Sequence, residues 1–403
     1  MSHTITLAVV VAALVRQGDR LSVPEPAFCK ALSELGKRRG IDVYVCSADS
    51  FDAEPGRLTA WRWGEAGWSP GAAAPPDIVY DRSFFTSFAQ RLAANRLLQR
   101  LRLLKRYRIL GGGLPGKADV HEALRRHPEL AGHLPPSSRF QAGEHSVAEL
   151  LKPHAHGVVL KPSAGMQGKG VVHLARSLQG EGVIAKGRSG SNRVVQRQFA
   201  SDSACDRWLE RVTDGVSYIV QPYLMLRGDD DKPFDVRLLL QKDGDGRWTI
   251  TGSVVRTGQP GTLTSNLHGG GSAEPALQAL ADKFGAPKAE RLLSRLHTIS
   301  MQTAVQLENE FGRLAELGLD LGIEPDGSIW LLEANSKPGR SSFRLIRDDA
   351  AWRLAVERPL SYAQWLVNRS LPFATVADSK HNRTATFISG SQKRPFNVQE
   401  VHR

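Results

Sequence analysis

Two apolar runs folded about Pro325-Asp326-Gly327 constrain this chain more than any other stretch. In Leu317–Arg340, LGLDLGIEPDGSIWLLEANSKPGR, the Pro-Asp-Gly signal predicts a hairpin turn. A four-residue loop, Glu324–Gly327, pairs Ile323 with Ser328 and sets Leu319 against Leu332 and Leu321 against Trp330. Side chains alternate along a strand, so Asp320, Glu333 and Asn335 then share the opposite face. A three-residue loop would set Leu319 against Glu333, which the apolar pattern disfavours. Two carboxylates and an amide oxygen on one face suit a hard cation such as Mg2+. The same pattern also describes a half-exposed hairpin whose polar face meets water, and this stretch alone leaves both readings open.

At 403 residues the chain is long enough for two or three domains. A hydrophobic content of 41% with 23% charged residues excludes a disordered chain. Lys and Arg number 53 against 41 Asp and Glu, an excess that suits polyanionic company, whether nucleic acid, nucleotide phosphates or an acidic substrate. Cys29, Cys46 and Cys205 are odd in number and form no CxxC pair. That pattern fits a reducing, cytoplasmic compartment. The apolar run Ile5–Val15 has no basic residues before it and is too short to span a membrane. It reads as a buried first strand.

A helix over Glu25–Arg39, a strand at Ile41–Cys46 and another at Asp77–Tyr80 predict an N-terminal α/β domain that ends by about residue 110. Phe88–Leu110 then spaces leucines at helical intervals among Arg91, Arg96, Arg100, Arg102, Lys105, Arg106 and Arg108. The plainer reading is a solvated cationic face; the sharper one is a docking face for an acidic partner. Gly111-Gly-Gly-Leu-Pro-Gly116 matches G-x-G-x-x-G in letters only. Pro115 interrupts it and no ribose-binding acid follows at the required distance. A turn presenting Lys117 at a helix start is the better reading.

In Val158–Val172, VVLKPSAGMQGKGVV, a strand ends at Lys161 and a small-residue loop follows. Glycines let a backbone approach phosphate oxygens, and a lysine supplies a point charge. The spacing is not that of a Walker A loop, and a glycine-rich hairpin with a structural lysine explains the stretch equally well. Strands are predicted at Ser217–Gln221, Phe234–Gln241 and Trp248–Arg256, carrying Asp235, Arg237 and Arg256. A small polar loop at Thr264–Gly270 and a helix over Lys288–Glu316 lead back to the hairpin.

The order Lys117, Lys161 and its Gly loop, Gln221-Pro-Tyr-Leu224, Asp235-x-Arg237, Arg256, Thr264-Ser-Asn-x-x-Gly-Gly270 and Asp320-x12-Glu333-x-Asn335 resembles the ATP-grasp proteins. Asp77-Ile-Val-Tyr-Asp-Arg82, Phe234-Asp-Val-Arg237 and Glu333-Ala-Asn-Ser-Lys-Pro-Gly339 resemble the YheC/YheD-like group, described as endospore coat-associated. Val158–Val172 and Ser265–Gly270 are also similar to the RimK-type ligases. The resemblance implies an α+β ATP-grasp fold of two subdomains clasping ATP over residues 111–372. An α/β pre-ATP-grasp domain over 1–110 would precede it, and a polar tail over 373–403 would follow.

The resemblance also implies roles. Lys117 and Lys161 would contact the ATP phosphates under a loop that includes Ser163, Gly165, Gly168 and Gly170. Gln221, Tyr223 and Leu224 would line the adenine pocket. Asp235 stands where RimK-type ligases bind ribose, and Thr264, Ser265 and Asn266 where they touch phosphate. Asp320, Glu333 and Asn335 would hold two Mg2+ ions, with Mn2+ as the alternative metal, and Arg256 would stabilise the transferring phosphoryl group. Two departures stand out: Pro222 replaces an acid common after the hinge, and Arg227–Lys232 is inserted before Asp235. The implied activity is a carboxylate–amine ligase acting through an acyl phosphate on small-molecule or peptide substrates, without a membrane or nucleic-acid partner. An ATP-grasp kinase and a coat-associated ATP binder without turnover are the alternatives.

Overall fold

The computed structural model describes residues 4–17, 20–51, 58–85, 87–163, 169–177, 182–228, 230–262, 265 and 270–369. The tail expected over 373–403 lies outside them. The first part of the chain contains β1 (Ile5–Val10), the short hairpin β2 (Val15–Gln17) and β3 (Arg20–Ser22), α1 (Pro26–Arg38), β4 (Ile41–Cys46), β5 (Thr59–Gly64), β6 (Gly67–Ala72), β7 (Ile78–Asp81), α2 (Phe88–Leu104) and β8 (Arg108–Ile109). These build a six-stranded sheet in the order β6-β5-β4-β1-β7-β8. β4, β1, β7 and β8 run parallel. Their near-continuous Val, Ile and Ala runs fit a sheet covered on both faces. Leu97 and Leu101 of α2 pack on Val10, Tyr44 and Val79 on one face. Phe28 and Leu32 of α1 pack on Leu7, Val9 and Tyr80 on the other.

Next come α3 (Lys117–Arg125), α4 (Pro128–Ala131), β9 (Ser138–Phe140), α5 (Val147–Leu151), β10 (Val158–Pro162), β11 (Val172–Arg176), β12 (Val183–Arg188), β13 (Val194–Phe199), α6 (Asp202–Thr213) and β14 (Tyr218–Pro222). The second sheet has the order β13-β12-β11-β10-β14-β9, and every pair is antiparallel. Alternation gives it two different faces. Val158, Leu160, Val172, Leu174, Tyr218 and Val220 form a core with Cys205, Trp208 and Leu209 of α6. Lys161, His173 and Gln221 alternate with them and lie on the opposite face.

The third sheet, β17-β16-β15-β18-β19, is made of β15 (Phe234–Lys242), β16 (Trp248–Thr257), β17 (Ser272–Pro275), β18 (Glu316–Ile323) and β19 (Ile329–Asn335). Helices α7 (Ala276–Phe284) and α8 (Ala286–Phe311) cover one face. They pack on Phe234, Val236, Leu238, Leu317, Leu319 and Leu321. After α9 (Ser341–Leu345), helix α10 (Asp349–Asn368) returns to the first domain. Its Val356, Leu360 and Leu366 join the α1 core, while Ala351 and Ala355 pack on Leu239 and Val254 of the third sheet. The architecture is α+β: an α/β first domain followed by two antiparallel sheets with their helices. Among the described residues no helix is long and apolar enough to cross a membrane, and the three cysteines are buried thiols without disulfides.

Candidate active site

The hairpin forms, with a register that corrects the sequence expectation. Ile323 pairs with Ile329, not Ser328, so Leu321 faces Leu331 and Leu319 faces Ala334. The loop is one residue longer because the Glu324 N–H donates to the Ser328 carbonyl at 2.9 Å. Gly327 takes φ +98°, a left-handed conformation that favours glycine. A bulge at Leu332 then absorbs the extra residue and sets Glu333 directly opposite Asp320. Asn335, opposite Gly318 two residues on, shares that face. The predicted trio is brought together by a route the alternation rule alone does not contain.

Strand pairing extends the row. Arg237 of β15 is opposite Asp320, and Asp235 is opposite Arg256 of β16. Arg237 grips both Asp320 oxygens, through Nε and, at 2.9 Å, through Nη2. Arg256 Nη2 lies 3.1 Å from the same carboxylate. Arg256 also donates to both Asp235 oxygens at 2.7 and 2.6 Å, and the Ser265 hydroxyl donates to Asp235 as well. Burial alone would favour the neutral acid at Asp320, but Arg237 and Arg256 hold its carboxyl below the usual range. At Arg256 burial opposes the charge, and Asp320 and Asp235 overcome it, leaving the guanidinium more firmly protonated than usual. Asp235, the residue placed at the ribose by resemblance, has its carboxylate engaged by Arg256 and Ser265 in this structure.

Lys117 arrives from the first domain's edge. A Cβ on Gly111 would lie 2.3 Å from the Ala315 backbone nitrogen, so the glycine turn packs directly against the strand leading into β18. Leu114 N–H donates to Ser336 Oγ at 2.9 Å. Gly116 caps α3, Lys117 opens it, and the Lys117 ammonium sits 3.2 Å from Glu333. Lys161, at the end of β10, is close enough to feel both. Burial foremost, then the positive charge of Lys117, push its ammonium down to about 8 from 10.5, against the pull of Glu333. Gly170 closes its loop at φ +76°, where a Cβ would lie 2.7 Å from Pro162. Ser163 donates its N–H to Ser217 at 2.8 Å. Gly165, Gly168, Thr264 and Asn266 lie outside the described residues.

The hinge after β14 is polar and tied from several sides. Gln221 donates to Ser137, and the Tyr223 N–H to Gly157 at 3.0 Å. The Leu224 carbonyl accepts from the Leu226 N–H at 2.8 Å. Three participants were not singled out from sequence. His173 stacks on Tyr223 with ring centroids 4.0 Å apart. Arg227 donates to the Tyr223 hydroxyl at 2.8 Å and to the Thr262 carbonyl at 2.9 Å, joining the hinge to the loop before Ser265. Glu324 accepts from the Met225 N–H at 3.0 Å and from Trp330 Nε1 at 2.7 Å. Arg237 was also missed as a site residue, although its two-residue spacing from Asp235 on one strand was a usable signal.

Among the described residues no three His, Cys, Asp or Glu side chains gather as a metal cluster. The donor set here is two opposed carboxylates and an amide, each carboxylate holding a side-chain cation. The second and third sheets and the start of α3 bring lysines, arginines and paired acids together, the arrangement of an ATP-grasp protein. The YheC/D-like ATP-grasp family matches residues 106–366, and the chain belongs to that family. It is 29% identical to the endospore coat-associated protein YheC of Bacillus subtilis (strain 168), over 78% of this chain and 86% of YheC. It is 26% identical to the endospore coat-associated protein YheD of the same organism, over 92% of this chain and 81% of YheD. The structure of the ATP-grasp ligase PsnB complexed with minimal precursor is similar in fold. Its TM-score is 0.50 at 16% identity, covering 89% of this chain and 99% of PsnB.

Proposed function

We propose that the protein is an ATP- and Mg2+-dependent carboxylate–amine ligase working through an acyl phosphate. The observation that carries this reading is the convergence of Lys117, Lys161, Arg237 and Arg256 on Asp235, Asp320 and Glu333, four cations about three carboxylates. The surplus positive charge suits a bound polyphosphate. Glu333 and Asn335 carry hard oxygen donors on one strand, and Asp320 opposite them would join on exchanging a guanidinium contact for the metal. Such donors are the chemistry Mg2+ requires, and two ions would be shared among them and the phosphates. The metal, when bound, would neutralise phosphate charge and polarise the transferring group. Lys117 and Lys161 would then turn from Glu333 toward the α- and β-phosphates. Gln221, Tyr223 and Leu224 would hold the adenine, and Ser163, Gly165, Gly168, Gly170, Thr264, Ser265 and Asn266 the phosphate side.

In this reading Arg256 acts on the γ-phosphate, where a preformed guanidinium stabilises charge as it develops. Asp235 holds that guanidinium in place. The γ-phosphate passes to a substrate carboxylate, and an amine then displaces phosphate from the acyl carbon. PsnB is named a ligase and was solved with a precursor, so a peptide carboxylate belongs in the first substrate panel beside small molecules. Hydroxylamine tests the reaction: with ATP, Mg2+ and the right carboxylate it intercepts the acyl phosphate as a hydroxamate. Glu333→Gln should abolish hydroxamate and weaken Mg2+-dependent ATP binding in calorimetry while the fold stands. ADP released with phosphate still on the substrate, and no hydroxamate, would make the protein a kinase.

The names of the curated relatives favour one second reading, a coat-associated ATP binder. Tight ATP binding without ADP release across a broad carboxylate panel would establish it.

A further inference from the structure

Helix α2 is apolar on two opposite sides. Ala94, Leu97 and Leu101 point into the first domain's core and are buried. On the far side Phe88, Leu92 and Leu103 follow a single face at i, i+4 and i+15. They are 81%, 40% and 87% exposed. Asn95 and Gln99, at i+7 and i+11, complete this outer stripe. Arg91 and Arg102 flank it on one side, Arg96 and Arg100 on the other. Arg100 lies over the Phe51 ring and Arg102 over Tyr107. No carboxylate among the described residues pairs with any of the four, and α2 itself contains no acid. A merely solvated helix has no need of phenylalanine and leucines on its outermost line.

We infer that the outer face of α2 docks an acidic, amphipathic polypeptide segment of a partner protein. Its apolar side chains would cover Phe88, Leu92 and Leu103, and its carboxylates would meet the arginine flanks. The charge left without a carboxylate among the described residues chooses among occupants. A second copy would set four arginines against four, and like charges repel. The chain's own residues 370–403 carry Lys380, Arg383, Lys393, Arg394 and Arg403 against Asp378 and Glu400, so they do not complement the face either. Nucleic acid would leave the apolar stripe unused. An anionic membrane would use it, but Asn95 and Gln99 in mid-stripe would have to enter the acyl boundary without partners. Against a polypeptide the same two amides can donate to and accept from the docked chain. The stripe begins five positions after Ser83, where Lys337 reaches Asp81 at 2.7 Å and the Ser83 carbonyl at 3.0 Å. A docked segment therefore starts beside the junction of the first domain with the β19–α9 loop.

The inference does not depend on ligase activity, and its test is a binding measurement on the full chain without ATP. The probe is a fluorescein-labelled helical peptide with leucines on one face and glutamates on the other, compared with its shuffled isomer of identical composition. Anisotropy at about 0.15 M salt keeps nonspecific attraction screened. The helical probe should bind at least about tenfold more tightly than the isomer, as expected when a few anchors carry an interface. Phe88→Ala/Leu103→Ala and Arg91→Glu/Arg102→Glu should each cost about tenfold or more. All four side chains are exposed, so thermal unfolding of Phe88→Ala/Leu103→Ala should match the parent, and that of Arg91→Glu/Arg102→Glu should differ only by the lost Arg102–Tyr107 contact. Equal binding of the two peptides, or indifference to Phe88→Ala/Leu103→Ala, would overturn the inference. So would tighter binding to phosphatidylserine vesicles or to a single-stranded oligonucleotide than to the peptide.

Discussion

Two buried ionic clusters hang from the same face of β18, four residues apart, or roughly 13 Å along the strand. At the first, Glu316 accepts from the Tyr80 hydroxyl and from Arg82 Nη1, both at 2.7 Å, and from Arg340 and Gln241. Arg82 also grips both oxygens of Glu25 at 2.8 Å and donates to the Pro338 carbonyl at 2.9 Å. The second is the Asp320 cluster. Gly318 separates them, and a Cβ there would lie 2.7 Å from Pro338. Their chemistry is alike and their balance is not. Arg82 and Arg340 match Glu25 and Glu316, two charges against two, with both arginines almost inaccessible. The Asp320 cluster has a cation to spare and takes in Lys117, 41% exposed, and Glu333, 33% exposed. A balanced, closed cluster joins segments; the unbalanced, more exposed one is the cluster proposed to take a ligand.

Breaking the closed cluster should give the largest effect. Arg82→Ala would leave Glu316 and Glu25 to share Arg340, and losing one partner of a buried pair costs about 3–5 kcal/mol. Denaturant unfolding measures it, and Arg82→Met/Glu316→Gln should recover part of the loss because the remaining Arg340 and Glu25, 3.9 Å apart, then balance one to one.

The open cluster should respond through turnover. Arg256→Ala is expected to lower it by roughly 10²–10³-fold, as for other groups that stabilise developing charge, with ATP affinity nearly unchanged. Its stability loss should be no larger than that of Arg82→Ala, because Asp320 keeps Arg237 and Asp235 keeps the Ser265 hydroxyl. If steady-state kinetics instead show normal turnover and unfolding shows the Arg82-sized loss, the two clusters are equivalent and the comparison fails.

Lys161→Ala sharpens the contrast at lower amplitude. One charge-assisted contact is worth about 1.5–3 kcal/mol, so ATP should bind at least about tenfold more weakly while adenosine is unaffected. Calorimetry with both ligands separates this outcome from a structural role, which would weaken both equally.

The smallest effect is on pH. Burial lets the Lys161 ammonium lose its proton near about 8, and only the charged form attracts phosphate. ATP affinity should therefore be full below that value and decline as pH rises through it. Lys161→Arg, which stays charged, should flatten the profile; a slope that persists in this variant would assign it to another group.

Much of the site was legible locally. Alternation along β15 and β18 placed Asp235 and Asp320 opposite the apolar face, and the Pro325–Gly327 turn announced the hairpin. The glycines of 111–116 and the residue after them located Lys117. What alternation could not supply was the extra residue in the Glu324–Ser328 loop and the bulge at Leu332. Each alone would have turned Glu333 away from Asp320; together they restore the face. Gly165, Gly168, Thr264 and Asn266 remain expectations carried by resemblance.

The sequence by itself determined which side chains leave the core, because a period of two along a strand is a property of the backbone. It also determined the excess of cations over acids along the motif series. Only the tertiary structure decided who pairs with whom. Glu25, Arg82, Glu316 and Arg340 are scattered along the chain, the first two 57 positions apart and Arg82 and Glu316 234 positions apart. Their meeting depends on β7, α1 and β18 converging. Asp235 reads as a lone strand acid until β16 is laid beside β15 and Arg256 falls opposite it. An ionic contact acts over a few ångströms of space, and strand order, not sequence distance, sets those ångströms.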